Sequence, residues 1–109
     1  MARRFWLVVT PLVGVAACAD ADLASPPCTD MCAKATELYD GCLADWGLDW
    51  TAAGHEDAAS HERSCQTWAW EHTQLLDADL VDTTCAERAA IFQEGSCADY
   101  TSIDWNADL

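Results

Sequence analysis

The sequence predicts an all-α fold, a small three-helix up-down-up bundle stapled by three disulfides. Three observations predict it. Apolar residues recur at helical spacing in three segments joined by connections. Six cysteines lie between Cys28 and Cys97, and five of them fall on those apolar faces. The span from Cys28 to Cys97 is seventy residues, so its core alone supplies little stability. Each bridge adds about 2–4 kcal/mol, mainly by restricting the unfolded chain.

Helix one is expected from about Pro27 to Trp46. Cys28, Cys32, Ala35, Tyr39, Cys42 and Trp46 form one stripe, widened by Met31, Leu38 and Leu43, which places Trp46 in the core. Pro27 suits a first helical position and Gly47 a C-terminal stop. Asp30 and Lys34 are spaced for an i,i+4 pair.

Leu48 to Gly54 is a connection carrying Trp50. Helix two is expected from about Glu56 to Asp77. Its stripe is Ala58, His61, Cys65, Trp68, His72 and Leu75, with Leu76 beside it and Trp70 on the opposite face. Ala78 to Thr83 reads as a second connection. Thr84 then reads as an N-cap, with Glu87 completing a capping box. Helix three follows from Cys85 to Glu94, with Cys85, Ala89 and Phe92 on one face. The tail from Ala98 to Leu109 is acidic but holds Tyr100, Ile103 and Trp105, apolar enough to pack on the domain.

Six cysteines permit fifteen pairings. Cysteines within one helix are poorly placed to bridge one another, so Cys28, Cys32 and Cys42 each require a partner among Cys65, Cys85 and Cys97. In an up-down-up bundle Cys85 begins the ascending third helix opposite Cys28. Cys65 lies about ten residues, roughly 15 Å, down the second helix, at the level of Cys32. Cys97 follows the top of the third helix, opposite Cys42. The expected bridges are Cys28–Cys85, Cys32–Cys65 and Cys42–Cys97.

The N-terminus carries Arg3 and Arg4, then an uncharged run from Phe5 to Ala17. A membrane-spanning helix needs about 20 apolar residues, more than this run has. A positive start, a short apolar stretch and small residues at its end describe a secretory signal peptide. Leu12-Val13-Gly14-Val15-Ala16-Ala17-Cys18 resembles the lipobox of bacterial lipoproteins. That resemblance implies acylation of Cys18 by a diacylglyceryl (palmitate-type) group and cleavage just before it. Ordinary signal cleavage after Ala19 or Ala21 is the alternative. Either route leaves six cysteines, an even number suited to an oxidising compartment. The expected organisation is a signal peptide over 1–17, a lipid-anchored tether over 18–27, the helical domain over 28–97 and the tail over 98–109.

From Cys18 onward Lys34, Arg63 and Arg88 face nineteen acidic residues, a net charge of minus sixteen. Such a surface repels phosphate backbones, which argues against a nucleic-acid partner. No Cys-x-x-Cys redox motif, Gly-x-Ser-x-Gly turn or glycine-rich phosphate loop is present, so neither a catalytic residue nor a cofactor is assigned. Asp77-Ala78-Asp79 begins like an EF-hand loop, but Asp82 stands at the turn glycine and Arg88 at the bidentate glutamate.

His55, Asp57 and His61 are weak candidate metal ligands, short of a closed coordination sphere. His61 and His72 otherwise border the core and hydrogen-bond there. Trp50 and Trp70 are candidate partner contacts, since tryptophan is enriched at binding hot spots; the alternative is that the tail covers Trp70. The resulting expectation is an exported lipoprotein, held by lipid at the outer membrane or cell surface, acting as a non-catalytic binding module. Its partner is an unidentified protein or ligand. The alternative is an exported metal- or small-ligand-binding protein.

Overall fold

A computed structural model describes residues 24–105. The signal peptide, Cys18 and the tether up to Leu23 lie outside the described residues, as do residues 106–109. The described residues form four helices: α1 (Pro26–Trp46), α2 (Ala58–Leu75), α3 (Ala78–Glu94) and the short α4 (Cys97–Thr101). The three long helices run up, down and up, and α1 packs most extensively against α3. Among the described residues no helix is long and apolar enough to cross a membrane.

α1 opens on Pro26 and Pro27, whose missing N–H groups are ones a first turn leaves unpaired in any case. The domain thus begins before Cys28, inside the span expected to be tether. Ser25 precedes the helix, and its hydroxyl donates to Asp82 of α3 at 2.6 Å. The helix ends where Gly47 turns left-handed (φ 72°) and its N–H bonds the Ala44 carbonyl. The Leu48 N–H bonds the Leu43 carbonyl, completing a Schellman stop.

α2 is capped by Asp57, whose carboxylate accepts from the Ser60 N–H at 2.8 Å. It stops at Leu75 because Asp77 is already committed to capping α3 through the N–H groups of Asp79 and Leu80. α3 therefore begins seven residues before the expected Cys85, and Thr84 and Glu87 lie in its interior. The expected connection from Ala78 to Thr83 is helical. Cys97 does not merely follow α3: it begins α4, whose N-cap Ser96 and Asp99 form a capping box.

Three disulfides tie each remaining helix to α1. Cys28 joins Cys85, Cys32 joins Cys65, and Cys42 joins Cys97, with Cα separations of 4.9, 5.6 and 5.7 Å. These are the three pairs expected from helix levels. The levels agree although α3 starts early, because α1 begins beside Asp82 rather than beside Ala78. The first turn of α3 and the last turn of α2 consequently project past the start of α1.

The core is small and rich in cysteine and alanine. Cys28, Met31, Cys32, Ala35, Cys65, Ala69, Val81, Cys85, Ala89 and Phe92 form it. Leu38, Trp68, Tyr100, Ile103 and Trp105 pack against it, so the tail belongs to the fold. Three positions expected on the core faces, Trp46, Leu75 and Leu76, lie elsewhere, Leu76 being 41 % exposed. Trp46 is 46 % exposed, with its ring edge-on to Tyr39 at the free end of α1. Leu75 is 80 % exposed, since α2 there has passed the start of α1. On α1 the buried face turns toward Met31, Thr36 and Leu43 instead.

Candidate functional site

His61 sits one turn into α2, placed by the Asp57 cap, and points into the bundle where it is 6 % exposed. Its Nδ1 lies 2.7 Å from the Thr36 hydroxyl of α1. Its Nε2 lies 2.9 Å from the Tyr100 hydroxyl of α4. A neutral imidazole offers one N–H and one lone pair, and two hydroxyls that can each give or take complement it. Burial, reinforced by neighbouring His55, lowers the His61 pKa from 6.5 to about 4. The ring is therefore neutral at ordinary pH. Burial, then the nearby Tyr39, raises the Tyr100 pKa well above the usual phenol value.

Aromatic rings surround this centre. Tyr39 stacks on Tyr100 with centroids 4.6 Å apart and planes 14° apart. Trp50 packs against Tyr39 and His61 at 5.5 and 5.1 Å, and its indole N–H donates to Asp40 at 2.9 Å. His55 stands edge-on to His61 at 4.9 Å. On the far side the Trp68 indole donates to the Trp105 carbonyl at 2.7 Å, and the two rings meet at 5.2 Å. The Arg88 guanidinium, on a residue 6 % exposed, lies 5.5 Å from the Trp68 ring and 5.2 Å from the Trp105 ring.

Between these two groups a cleft of about 200 Å³ opens to solvent. His55, His61, Ser64, Trp68, Tyr100 and Trp105 line it over the Cys65 end of the Cys32–Cys65 bridge. Two disulfides hold its walls: Cys32–Cys65 fixes α2, and Cys42–Cys97 fixes the helix bearing Tyr100. The walls are mainly aromatic, with polar atoms from Ser64, Tyr100 and the imidazoles.

A hydroxyl hydrogen-bonded to an imidazole is the arrangement of a nucleophile and its base. Here Thr36 is buried and does not line the cleft. The imidazole is also a weak base whose second nitrogen is engaged by Tyr100. The pair is built as a structural link between helices.

Of the candidate metal ligands, His55 and His61 adjoin at 4.9 Å between ring centroids, but the three do not form a ligand set. His61 has both nitrogens engaged, and Asp57 caps α2. Among the described residues no group of three or more His, Cys, Asp or Glu side chains is placed to hold an ion. Asp77 and Asp82 of the stretch that begins like an EF-hand loop are likewise engaged, one in the α3 cap and one with Ser25.

The two candidate partner contacts separate. Trp50 is half-buried in the aromatic cluster, while Trp70 is half-buried on α2 away from the cleft lining. The tail packs on Trp68 through Trp105. His72 hydrogen-bonds at the core border as expected, its Nδ1 lying 2.8 Å from the Trp68 carbonyl. Tyr100, Trp105 and Arg88 are site residues the sequence did not assign to a site. The Ser96-x-x-Asp99 cap was the available signal that Tyr100 belongs to a helix. Comparison with protein-family models, curated proteins and solved structures finds no match to the chain.

Proposed function

We propose that the protein is an exported lipoprotein, anchored through Cys18 at the outer membrane or cell surface, whose domain is a non-catalytic binding module. The cleft bounded by Trp68, Tyr100 and Trp105 carries the binding part of this reading. Three disulfides support export, because such bridges persist in oxidising compartments. The lipobox-like Val15-Ala16-Ala17-Cys18 supports the anchor.

The ligand is a small uncharged molecule with a flat apolar surface. A cleft of about 200 Å³ admits little more than a ring system, less than the 300–1,000 Å³ typical of drug-sized pockets. The acidic surface disfavours an anion. The Arg88 guanidinium against both indoles disfavours a second cation there.

Indole is a suitable probe. Titrated into isotopically labelled protein, it should shift the Ser64, Trp68, Tyr100 and Trp105 resonances saturably, and Trp68→Ala should abolish the effect. Absence of saturable shifts at millimolar indole would remove the cleft as the binding site. Intact mass of protein extracted from membranes checks the anchor, through the acyl chains on Cys18.

A further inference from the structure

We infer that the α2–α3 corner is a membrane-seating surface: Leu75, Leu76 and Leu80 dip into the interface of the bilayer that holds the chain. This rests on the lipid anchor at Cys18 proposed above.

The three leucines are 80, 41 and 47 % exposed and gather where α2 ends and α3 begins. They are uncovered for a definite reason. α1 begins beside Asp82 and meets α3 at the buried Val81, whose carbonyl lies 3.9 Å from Cys28 Sγ, which leaves the neighbouring Leu80 exposed. The described chain also starts at this end, at Ala24, and Ser25 is fastened to Asp82. Five residues lie between Cys18 and Ala24, so the six Cα–Cα steps reach at most about 22 Å even when fully extended. An anchor at Cys18 therefore keeps the leucine corner, rather than the opposite end, next to the bilayer.

Two of the three local acids are engaged in hydrogen bonds, and the third, Asp79, lies in the first turn of α3 where the helix dipole favours it. Asp77 accepts the N–H groups of Asp79 and Leu80, and Asp82 accepts from Ser25. The net charge of the chain weighs against a strongly anionic lipid surface. Exposed apolar residues also occur at the far end, where Trp46 and Leu48 are 46 and 49 % exposed. They supply an internal comparison.

The test uses full-length protein extracted from membranes and reconstituted into phosphatidylcholine vesicles containing a diazirine-bearing phosphatidylcholine. After illumination, mass spectrometry maps the labelled residues, and intact mass records acylation and the three disulfides. Labelling at Leu75–Leu80 should exceed that at Trp46–Leu48 at least tenfold. The triple variant Leu75→Ser, Leu76→Ser, Leu80→Ser should lose that excess while keeping its acyl chains and bridges. Replacing a third of the lipid with phosphatidylglycerol should reduce the labelling several-fold.

Acylated protein labelled equally at both ends would overturn the seating while leaving the anchor intact. A mass without acyl chains would overturn the anchor and the seating with it. Protein–protein crosslinks at the corner in place of lipid adducts would make it a contact between copies, which also overturns the proposal.

Discussion

His61 Nδ1 and the Thr36 hydroxyl lie 2.7 Å apart across the α1–α2 interface, and burial of the imidazole there, reinforced by His55, makes the fold sensitive to acid. The folded imidazole takes a proton only near pH 4, whereas in the unfolded chain it does so near 6.5. Between those values the unfolded chain binds more protons, so stability rises with pH. The contribution is complete above pH 6.5 and is lost as pH falls toward 4, with a full amplitude of about 3 kcal/mol. Urea unfolding of the native protein and His61→Gln at several pH values from 7.5 to 4 should therefore give diverging curves. The variant should have the shallower slope. Carboxylates titrate in both proteins and drop out of the difference; parallel curves would mean that His61 is not the group concerned.

Arg88 makes a second prediction, because its guanidinium lies near both the Trp68 and Trp105 rings. Cation–π contacts contribute about 0.5–2 kcal/mol each, with the higher values at desolvated sites. Arg88→Met keeps a long apolar stem but removes the cation, and should lower stability by about 1–3 kcal/mol. Arg88→Lys should fall between the two, since an ammonium lacks the planar face that stacks on an indole. Thermal unfolding and tryptophan emission provide the measurements. A Met variant as stable as the native protein would show that the ring contacts and the Trp68–Trp105 hydrogen bond hold Trp105 in place without the cation.

Much of the architecture could be read from residue spacing. A 3.6-residue period identifies the Cys28, Cys32 and Cys42 face of α1 without reference to its exact ends. The cysteine pairing was similarly insensitive, because what matters is the offset between helices. α3 starts early, but α1 starts beside its second turn, and Cys28 still meets Cys85. Local signals were less decisive for boundaries. Thr84 and Glu87 have the spacing of a capping box, yet Asp77 captures the helix start because its carboxylate meets two free N–H groups as α2 ends. The site was less legible still. Nothing local to Tyr100 or Arg88 indicates that one meets His61 and the other the indoles; both contacts arise from tertiary packing. Periodicity puts Leu75 on the core face, yet Leu75 is exposed, because a period marks a face and does not reveal where the opposing helix ends.

The two alternative starts of α3 can be separated directly. Asp77→Ala removes the acceptor of the Asp79 and Leu80 N–H groups and should cost about 1 kcal/mol. Hydrogen exchange at those two amides should accelerate several-fold. Thr84→Ala, at the cap suggested by the sequence, should be neutral or stabilise by up to about 0.5 kcal/mol, since Ala is the better helix former inside a helix. Equal costs, or a larger one at Thr84, would contradict a helix starting at Ala78.

The junction between α3 and α4 decides whether Tyr100 reaches His61, and Gly95 is its tightest point. A Cβ at Gly95 would collide with the Ile91 carbonyl oxygen and crowd the Asp99 carboxylate. That carboxylate accepts from the Ser96 N–H and closes the capping box of α4. Gly95→Ala must therefore shift the α3 terminus or open the box, and either movement carries Cys97 and Tyr100 with it. The expected cost is about 1–3 kcal/mol, in the range for overpacking. The cleft should also loosen, seen as changed His61 and Trp105 resonances. Gly41 is the control: a Cβ there meets nothing within 4 Å in the middle of α1. Gly41→Ala should raise stability by about 0.5–1 kcal/mol through helix propensity alone. If both substitutions were stabilising, the close approach at Gly95 would not constrain the junction, and α4 would have to be held by the Cys42–Cys97 bridge and the Tyr100 contacts instead.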